Sequence, residues 1–184
     1  MLADARAARL GRAYGTLARG SAFLAASLRA RAGTVQDGLP GASGAKVVGN
    51  GLRELDRFLS LLLDEAAGTV CSPGFDQRDF ARQNNVANKI GTFYGLAGLD
   101  RPDVRRLRAI GRVRVCLHHC RGVVHDFALW DDLSTAAGDL PGRPRLDPPE
   151  RLAVTFEDLA RICEFYAQSG AGLIAVCGGT DPVP

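Results

Sequence analysis

The spacing of apolar residues most constrains the fold of this 184-residue chain. Along its first segment these residues recur at steps of three, four and seven, as Leu10, Tyr14, Leu17, Leu24 and Leu28. Such steps bring side chains onto one face of an α-helix, whereas a half-buried strand would alternate every second residue. Because no segment alternates convincingly, the sequence predicts an all-α fold.

Glycine and proline divide the chain into helical segments. The first helix is predicted over about 4–31, and a Gly-rich loop follows over 33–51. A second helix is predicted over 52–67, where Gly68 would end it. Helical spacing then returns between Phe80 and Tyr94, which predicts a third helix that stops near Gly95 or Gly98.

Two further helices complete the predicted bundle. Asp100 is a suitable cap for a fourth helix that runs to about Phe127. The stretch 131–150 contains too many breakers for a regular element. Thr155 and Asp158 have the spacing of a capping box and begin the fifth helix. The prediction is a single domain, an irregular bundle of four or five helices, with residues 52–177 as its main helical region.

Composition limits the class of protein. The chain is 46% hydrophobic, which allows a core without metal or disulfide staples, and its mean hydropathy of −0.02 is typical of soluble globular chains. No window approaches the roughly eighteen uninterrupted apolar residues of a membrane span, so we expect no membrane association. The five cysteines are odd in number and widely spaced, which predicts a reducing, cytoplasmic location.

All three histidines fall inside the predicted fourth helix, among several arginines. At about 100° per residue, Arg114, His118, Arg121 and His125 project onto one narrow strip, here called the Arg–His stripe, beside the core-facing side. Partial desolvation and neighbouring cations lower the pKa of an imidazole. Such a group exchanges protons near neutral pH, so the stripe is a candidate catalytic site.

The same helix carries a resemblance to a known family. The segment 106–126, ending in Arg121-Gly122-Val123-Val124-His125, resembles the penultimate helix of HEPN-domain proteins, the higher eukaryote and prokaryote nucleotide-binding family. The run from Asn84-Asn85 to Asp100 and the segment from Thr155 to Leu159 resemble neighbouring helices of that family. The resemblance covers roughly residues 75–175. It implies an all-helical, dimeric protein, and many members are metal-independent ribonucleases.

The family motif is an arginine, commonly followed by Asn, His or Asp, and then a histidine after four to six intervening residues. Arg121 and His125 enclose only three residues, whereas two other pairs have the expected spacing: Arg114 with His119 and Arg112 with His118. None has the polar second residue. The resemblance implies that a histidine moves a proton of the ribose 2′-hydroxyl while arginine stabilises the phosphate charge. The predicted catalytic residues are Arg121, His125, His118 and Arg114.

Other polar residues have two interpretations each. Asn84 and Asn85, with Arg112, are predicted to bind substrate, although such amides also commonly bond to loop backbone. Cys116, His119 and Cys120 have i, i+3, i+4 spacing and form an alternative metal site. Otherwise we expect neither metal nor cofactor.

The leading prediction is a homodimeric, metal-independent ribonuclease or RNA-binding protein of toxin or defence type, with a cognate antitoxin or another protein as partner. The alternative is a catalytically inactive helical module that dimerises or acts as a scaffold. Charge does not decide between them, because the net charge is only +3.

Overall fold

The structure, a computed structural model, describes residues 2–32, 41–69, 75–100, 103–139 and 151–178. In these ranges the chain forms seven α-helices and no β-strand, which confirms the all-α, single-domain prediction. The helices are α1 (Leu2–Ala32), α2 (Gly41–Ala67), α3 (Gln77–Ala81), α4 (Val86–Leu96), α5 (Val104–His119), α6 (Ala128–Ala136) and α7 (Phe156–Gly178). None of them has the length and apolarity needed to cross a membrane.

Helix α2 is the centre of the bundle and contacts α1, α4, α5 and α7. Its inner face is fully buried at Val48, Leu52, Leu55, Leu59, Leu62 and Leu63. Each such side chain contributes about 1.5–3 kcal/mol by leaving water. Because α1 packs with α7 and α5 packs with α6, α2 joins these two helix pairs.

The prediction for α1 is confirmed, and the start of α2 is a correction. Residues 41–51, predicted as part of the loop 33–51, are helical, while 33–40 lie outside the described residues. The buried Ala45 and Val48 extend the helical spacing back through the glycines. At Gly51 an added Cβ would lie 2.6 Å from Leu24 Cδ1, so the missing side chain lets α1 and α2 approach closely. The predicted end of α2 near Gly68 is confirmed.

The predicted third helix is two helices, α3 and α4, separated at Asn84 and Asn85. The Asn85 side chain accepts hydrogen bonds from the backbone N–H groups of Ala87 (2.9 Å) and Asn88 (3.1 Å). Asparagine is favoured at this N-cap position and disfavoured inside helices. Asn84 and Asn85 therefore precede a new helix instead of lying within one.

The predicted fourth helix also ends earlier than expected. Helix α5 starts after the cap Asp103 and stops at His119, because Arg121 and Gly122 adopt positive φ angles of 53° and 79°. The Gly122 N–H closes the end on the Cys116 carbonyl (3.1 Å). Helix α6 then occupies part of the stretch 131–150 that was predicted to be irregular, while 140–150 lie outside the described residues.

Helix α7 begins with the predicted capping box. The Thr155 N–H donates to Asp158 Oδ2 (2.8 Å), and the Asp158 N–H donates to Thr155 Oγ1 (3.1 Å). The inner face of α7 is formed by Leu159, Ile162, Cys163, Tyr166 and Leu173, which are all buried.

Arg106 joins the last three helices of the bundle. Its Nε donates to the Ala136 carbonyl at the end of α6 (3.0 Å), and Nη2 donates to the Arg161 carbonyl of α7 (3.1 Å). The guanidinium also lies 4.4 Å from the ring centre of Phe165. This α5 arginine is therefore committed to packing.

Candidate functional site

An open groove of about 1300 Å³ lies between α2 and α5, with α4 and the segment 123–132 along its edges. Helix α2 lines it with Arg53, Asp56, Arg57, Ser60, Leu61 and Asp64. Helix α5 lines it with Arg108, Arg112, Arg114 and Val115, among others. Two of the predicted catalytic residues, Arg114 and His125, are therefore at this groove, as are Asn84, Asn85 and Arg112.

The two walls of the groove are antiparallel helices that come together at one end. A Cβ on Gly49 would lie 2.8 Å from the His118 backbone nitrogen, which only glycine at this position allows. Further along, Asp56 on α2 faces Arg114 on α5. The helices thus touch near His118, and the groove runs along them away from this contact.

A partly buried hydrogen bond and an ion pair, in series, fix Arg114 on the groove wall. The Tyr166 hydroxyl of α7 donates to Asp56 Oδ1 (2.5 Å), and Arg114 Nε lies 3.1 Å from Asp56 Oδ2. Burial raises the pKa of Asp56, while the Tyr166 hydrogen bond and the Arg114 charge oppose that rise. Burial also raises the pKa of Tyr166 well above its ordinary value, so the phenol stays a donor.

Arg112 is held by a second carboxylate. Its Nε donates to Asp132 Oδ2 (2.6 Å) and its Nη2 donates to Asp132 Oδ1, a two-pronged pairing between α5 and α6. The hydrogen bond to Asp132 raises the pKa of Arg112 further. Both carboxylate oxygens of Asp132 bind the Arg112 guanidinium and offset its charge. Arg112 therefore contributes less free positive charge to the groove than the sequence indicated.

Sequence reasoning missed a buried lysine at the groove. Lys89 is only 1% exposed, and its Nζ lies 2.9 Å from Ser60 Oγ and 2.8 Å from Asp64 Oδ1. The ammonium also lies 5.3 Å from the ring centre of Phe80. The signal available in the sequence was a lysine beside Ile90 on the apolar face of α4. In the structure this lysine joins α4 to α2.

His118 lies at the α2–α5 contact and is half-buried. Its Nδ1 is buried and has no hydrogen-bond partner among the residues that the structure describes, and its ring meets the His119 ring edge-on at 4.4 Å between centres. Burial lowers the pKa of His118, and the charges of His119, Arg53, Lys46 and Arg114 lower it further. A neutral imidazole at neutral pH is able to accept a proton.

The four residues of the Arg–His stripe do not form one strip, because α5 ends at His119. Arg114 and His118 remain together, one turn apart on α5. Arg121 lies in the turn beyond the helix, and its carbonyl accepts a hydrogen bond from Arg151 (3.3 Å). His125 is exposed and lines the groove from the following segment.

The alternative metal site is not supported. The Cys116 thiol donates to the Val123 carbonyl (3.4 Å), and burial raises its pKa to about 11, which disfavours the thiolate that metals bind. His119 and Cys120 are exposed. Among the residues that the structure describes, no group of three or more His, Cys, Asp or Glu side chains is placed to hold a metal ion.

Two arginines of the groove have no carboxylate partner in the described part of the chain. They are Arg53 on α2 and Arg108 on α5, whereas Arg57 lies 3.8 Å from Glu54. Arg108 donates only to the side-chain oxygen of Asn88 (3.3 Å). The described lining holds six arginine and lysine side chains against four aspartates, so the groove carries an excess of positive charge. This arrangement can bind an anion, with a neutral histidine nearby.

Comparison of the chain with family models, with curated proteins and with solved structures finds no significant match. The site is therefore interpreted from its own geometry.

Proposed function

We propose that this protein binds single-stranded RNA in the α2–α5 groove and cleaves it without a metal ion. The observation that carries the proposal is that Arg53 and Arg108, on opposite walls of one groove, meet no carboxylate among the described residues. Backbone phosphates are the commonest targets of such arginines in nucleic-acid-binding proteins. The HEPN resemblance supplies the choice of RNA.

The size of the groove supports an extended ligand. Its volume of about 1300 Å³ exceeds the roughly 300–1,000 Å³ of typical small-molecule pockets. Amide side chains of Asn84 and Asn88 stand at its edge, where they are able to contact bases or riboses. A strand several nucleotides long fits such an open, polar channel better than a single metabolite does.

The chemistry centres on Arg114, which lines the groove, and His118, which lies beyond the lining at the α2–α5 contact one turn away. Asp56 engages the Nε edge of the Arg114 guanidinium, and the remaining N–H groups are free to contact phosphate oxygens. His118, whose pKa is lowered by burial and by surrounding cations, is the base for the ribose 2′-hydroxyl. Cleavage in this manner requires no metal, and His125 on the groove lining is the second candidate for proton transfer.

Binding and cleavage are tested separately. For binding, the Arg53→Ala/Arg108→Ala double variant is compared with Arg12→Ala/Arg19→Ala, which removes two exposed arginines from α1. We expect a fluorescent single-stranded RNA to bind more weakly only to the Arg53→Ala/Arg108→Ala variant. The slope of its log affinity against log salt concentration should become shallower by about 0.7 for each lost phosphate contact. Equal loss in both variants would refute binding in the groove.

For cleavage, the purified protein is incubated with RNA in excess EDTA. We expect cleavage, and we expect His118→Gln or His125→Ala to abolish it while circular dichroism remains unchanged. Intact RNA with the folded wild-type protein would reject the nuclease and favour the inactive scaffold.

A second candidate function rests on two exposed apolar side chains in the groove. Leu61 on α2 is 51% exposed and Val115 on α5 is 46% exposed, and both line the groove. A helix of a second copy, or of a partner protein such as an antitoxin, would cover them. Sedimentation velocity tests the homodimer: association that disappears in Leu61→Glu supports it, and a monomer at every concentration rejects it.

A further inference from the structure

The contact between Gly49 and His118 lies between two α2 cations, one a turn before Gly49 and one a turn after it. Lys46 precedes Gly49 by three residues and Arg53 follows it by four, so both lie over the same face of α2 as Gly49, one turn away in each direction. Because a Cβ on Gly49 would meet the N, Cα and Cβ atoms of His118, that face of α2 is the one turned toward this residue. Both side chains are exposed, so they are available to a ligand.

The charges at this end of the groove are not balanced by carboxylates. In the described residues neither Lys46 nor Arg53 forms an ion pair, and the nearby Asp56 is taken by Tyr166 and Arg114. On the α5 side the neighbours of His118 are His119 and Arg114, and the Arg114 guanidinium already pairs with Asp56. These charges act on His118: burial lowers its pKa most, and the charges of these four neighbours lower it further. An anion among them would relieve the repulsion.

We propose that Lys46, Arg53 and His118 form a phosphate-binding site where α2 and α5 meet, next to the end of the groove that Arg53 lines. The lysine supplies a compact charge, the arginine a planar pair of donors, and the imidazole a further N–H when protonated, a combination that suits the oxygens of a phosphate group. Naming RNA as the source of that phosphate rests on the proposed function. The site itself does not, because it is tested with inorganic phosphate.

The first experiment follows the His118 ring signal by NMR while inorganic phosphate is titrated at constant ionic strength with sodium chloride. The His118→Gln variant assigns the signal and separates it from that of His119. Bound phosphate should raise the pKa of His118, because an adjacent anion favours the charged imidazole. A His118 titration curve that phosphate leaves unchanged overturns the site.

The second experiment measures phosphate affinity in variants. Lys46→Ala/Arg53→Ala should weaken binding about ten-fold at low salt, whereas Arg12→Ala/Arg19→Ala, with the same change of charge, should leave it nearly unchanged. Equal affinity in the two double variants, with both folded by circular dichroism, overturns the proposal.

The outcomes separate this site from the RNA proposal. If the protein binds phosphate as expected but no RNA, the site stands and the proposed function fails. If it binds RNA through Arg108 but phosphate does not reach His118, the proposed function stands and this site is wrong. Two results together support both proposals. RNA binding falls in Arg108→Ala and in Lys46→Ala, and inorganic phosphate competes with RNA in the wild-type protein but not in Lys46→Ala.

Discussion

The Tyr166 hydroxyl donates a hydrogen bond of 2.5 Å to the Asp56 carboxylate in the interior of the bundle. The other carboxylate oxygen lies 3.1 Å from Arg114 Nε. These residues belong to α7, α2 and α5, so a single polar chain joins three helices and orients the arginine at the groove. A buried polar network is stable only when each member is satisfied, which makes this chain sensitive to the loss of one donor.

Replacing Tyr166 by phenylalanine tests that sensitivity. The variant keeps the ring and removes the donor to Asp56, and we expect the free energy of unfolding to fall by about 1–3 kcal/mol. Urea denaturation measures it, with Tyr94→Phe as the control, because no hydrogen bond of the Tyr94 hydroxyl is found among the described residues. Equal losses in the two variants would show that the Tyr166–Asp56 contact contributes little.

Gly49→Ala tests the close approach of α2 and α5. The added Cβ would meet backbone atoms of His118, which cannot rotate away, so we expect a loss of about 1–3 kcal/mol through overpacking. The control is Gly11→Ala on α1, where, apart from the nearby backbone of α1 itself, no atom of the described residues lies within 4 Å of the added Cβ. There the better helix propensity of alanine should stabilise the protein by up to about 1 kcal/mol. A stabilised Gly49→Ala protein would contradict the packing described for His118.

The pKa of His118 predicts how stability depends on pH. Burial and then neighbouring cations lower this pKa below the ordinary value of 6.5. Between the lowered pKa and 6.5 the unfolded chain binds more protons than the folded protein, so stability rises with pH across that interval and is lost as pH falls through the folded pKa. Urea denaturation at a series of pH values measures the slope.

His118→Gln is the matched variant for this measurement. Glutamine does not titrate, so the rise of stability just below pH 6.5 should become shallower. A slope that His118→Gln does not reduce would mean that the folded and unfolded states bind the His118 proton equally.

Lys89 offers a prediction about a buried ion pair. Lys89→Ala removes the partner of Asp64 and leaves a cavity. We expect the free energy of unfolding to fall by about 2–4 kcal/mol. The cost is lower than at a fully buried pair, because the Asp64 side chain is 34% exposed. Lys89→Met fills the space and should cost less. Adding Asp64→Asn to Lys89→Met removes the unpaired carboxylate and should recover part of the stability in thermal and urea unfolding. If it recovers none, the aspartate is solvated well enough to need no partner.

Helices α1 and α7 were predictable because local signals agree with the tertiary packing. In α1 the residues Leu10, Leu17 and Leu24 repeat at steps of seven and are buried. In α7 the Thr155–Asp158 capping box is formed within four residues of chain, so no distant contact is needed to produce it. Such local features depend on the sequence alone.

The start of α2 and the end of α5 were predicted wrongly for a common reason. The glycines between 41 and 51 lower helix propensity, yet Gly49 and Gly51 are where other chain segments press against α2. At the other boundary, periodicity extends beyond His119, but the backbone turns at Arg121 with a positive φ. Both outcomes depend on close packing between distant segments, which the periodicity of a single helix does not report.

Residue type and helical spacing are enough to specify the all-α fold, the apolar faces and the concentration of arginine and histidine on α5. Which of the arginine charges are free depends on how the helices pack. Asp132 and Asp56 come from other helices to pair with Arg112 and Arg114, whereas Arg53 of α2 meets no carboxylate in the described part of the chain. Pairing is a matter of distance between side chains far apart in sequence, so it is settled when α2, α5 and α6 pack together.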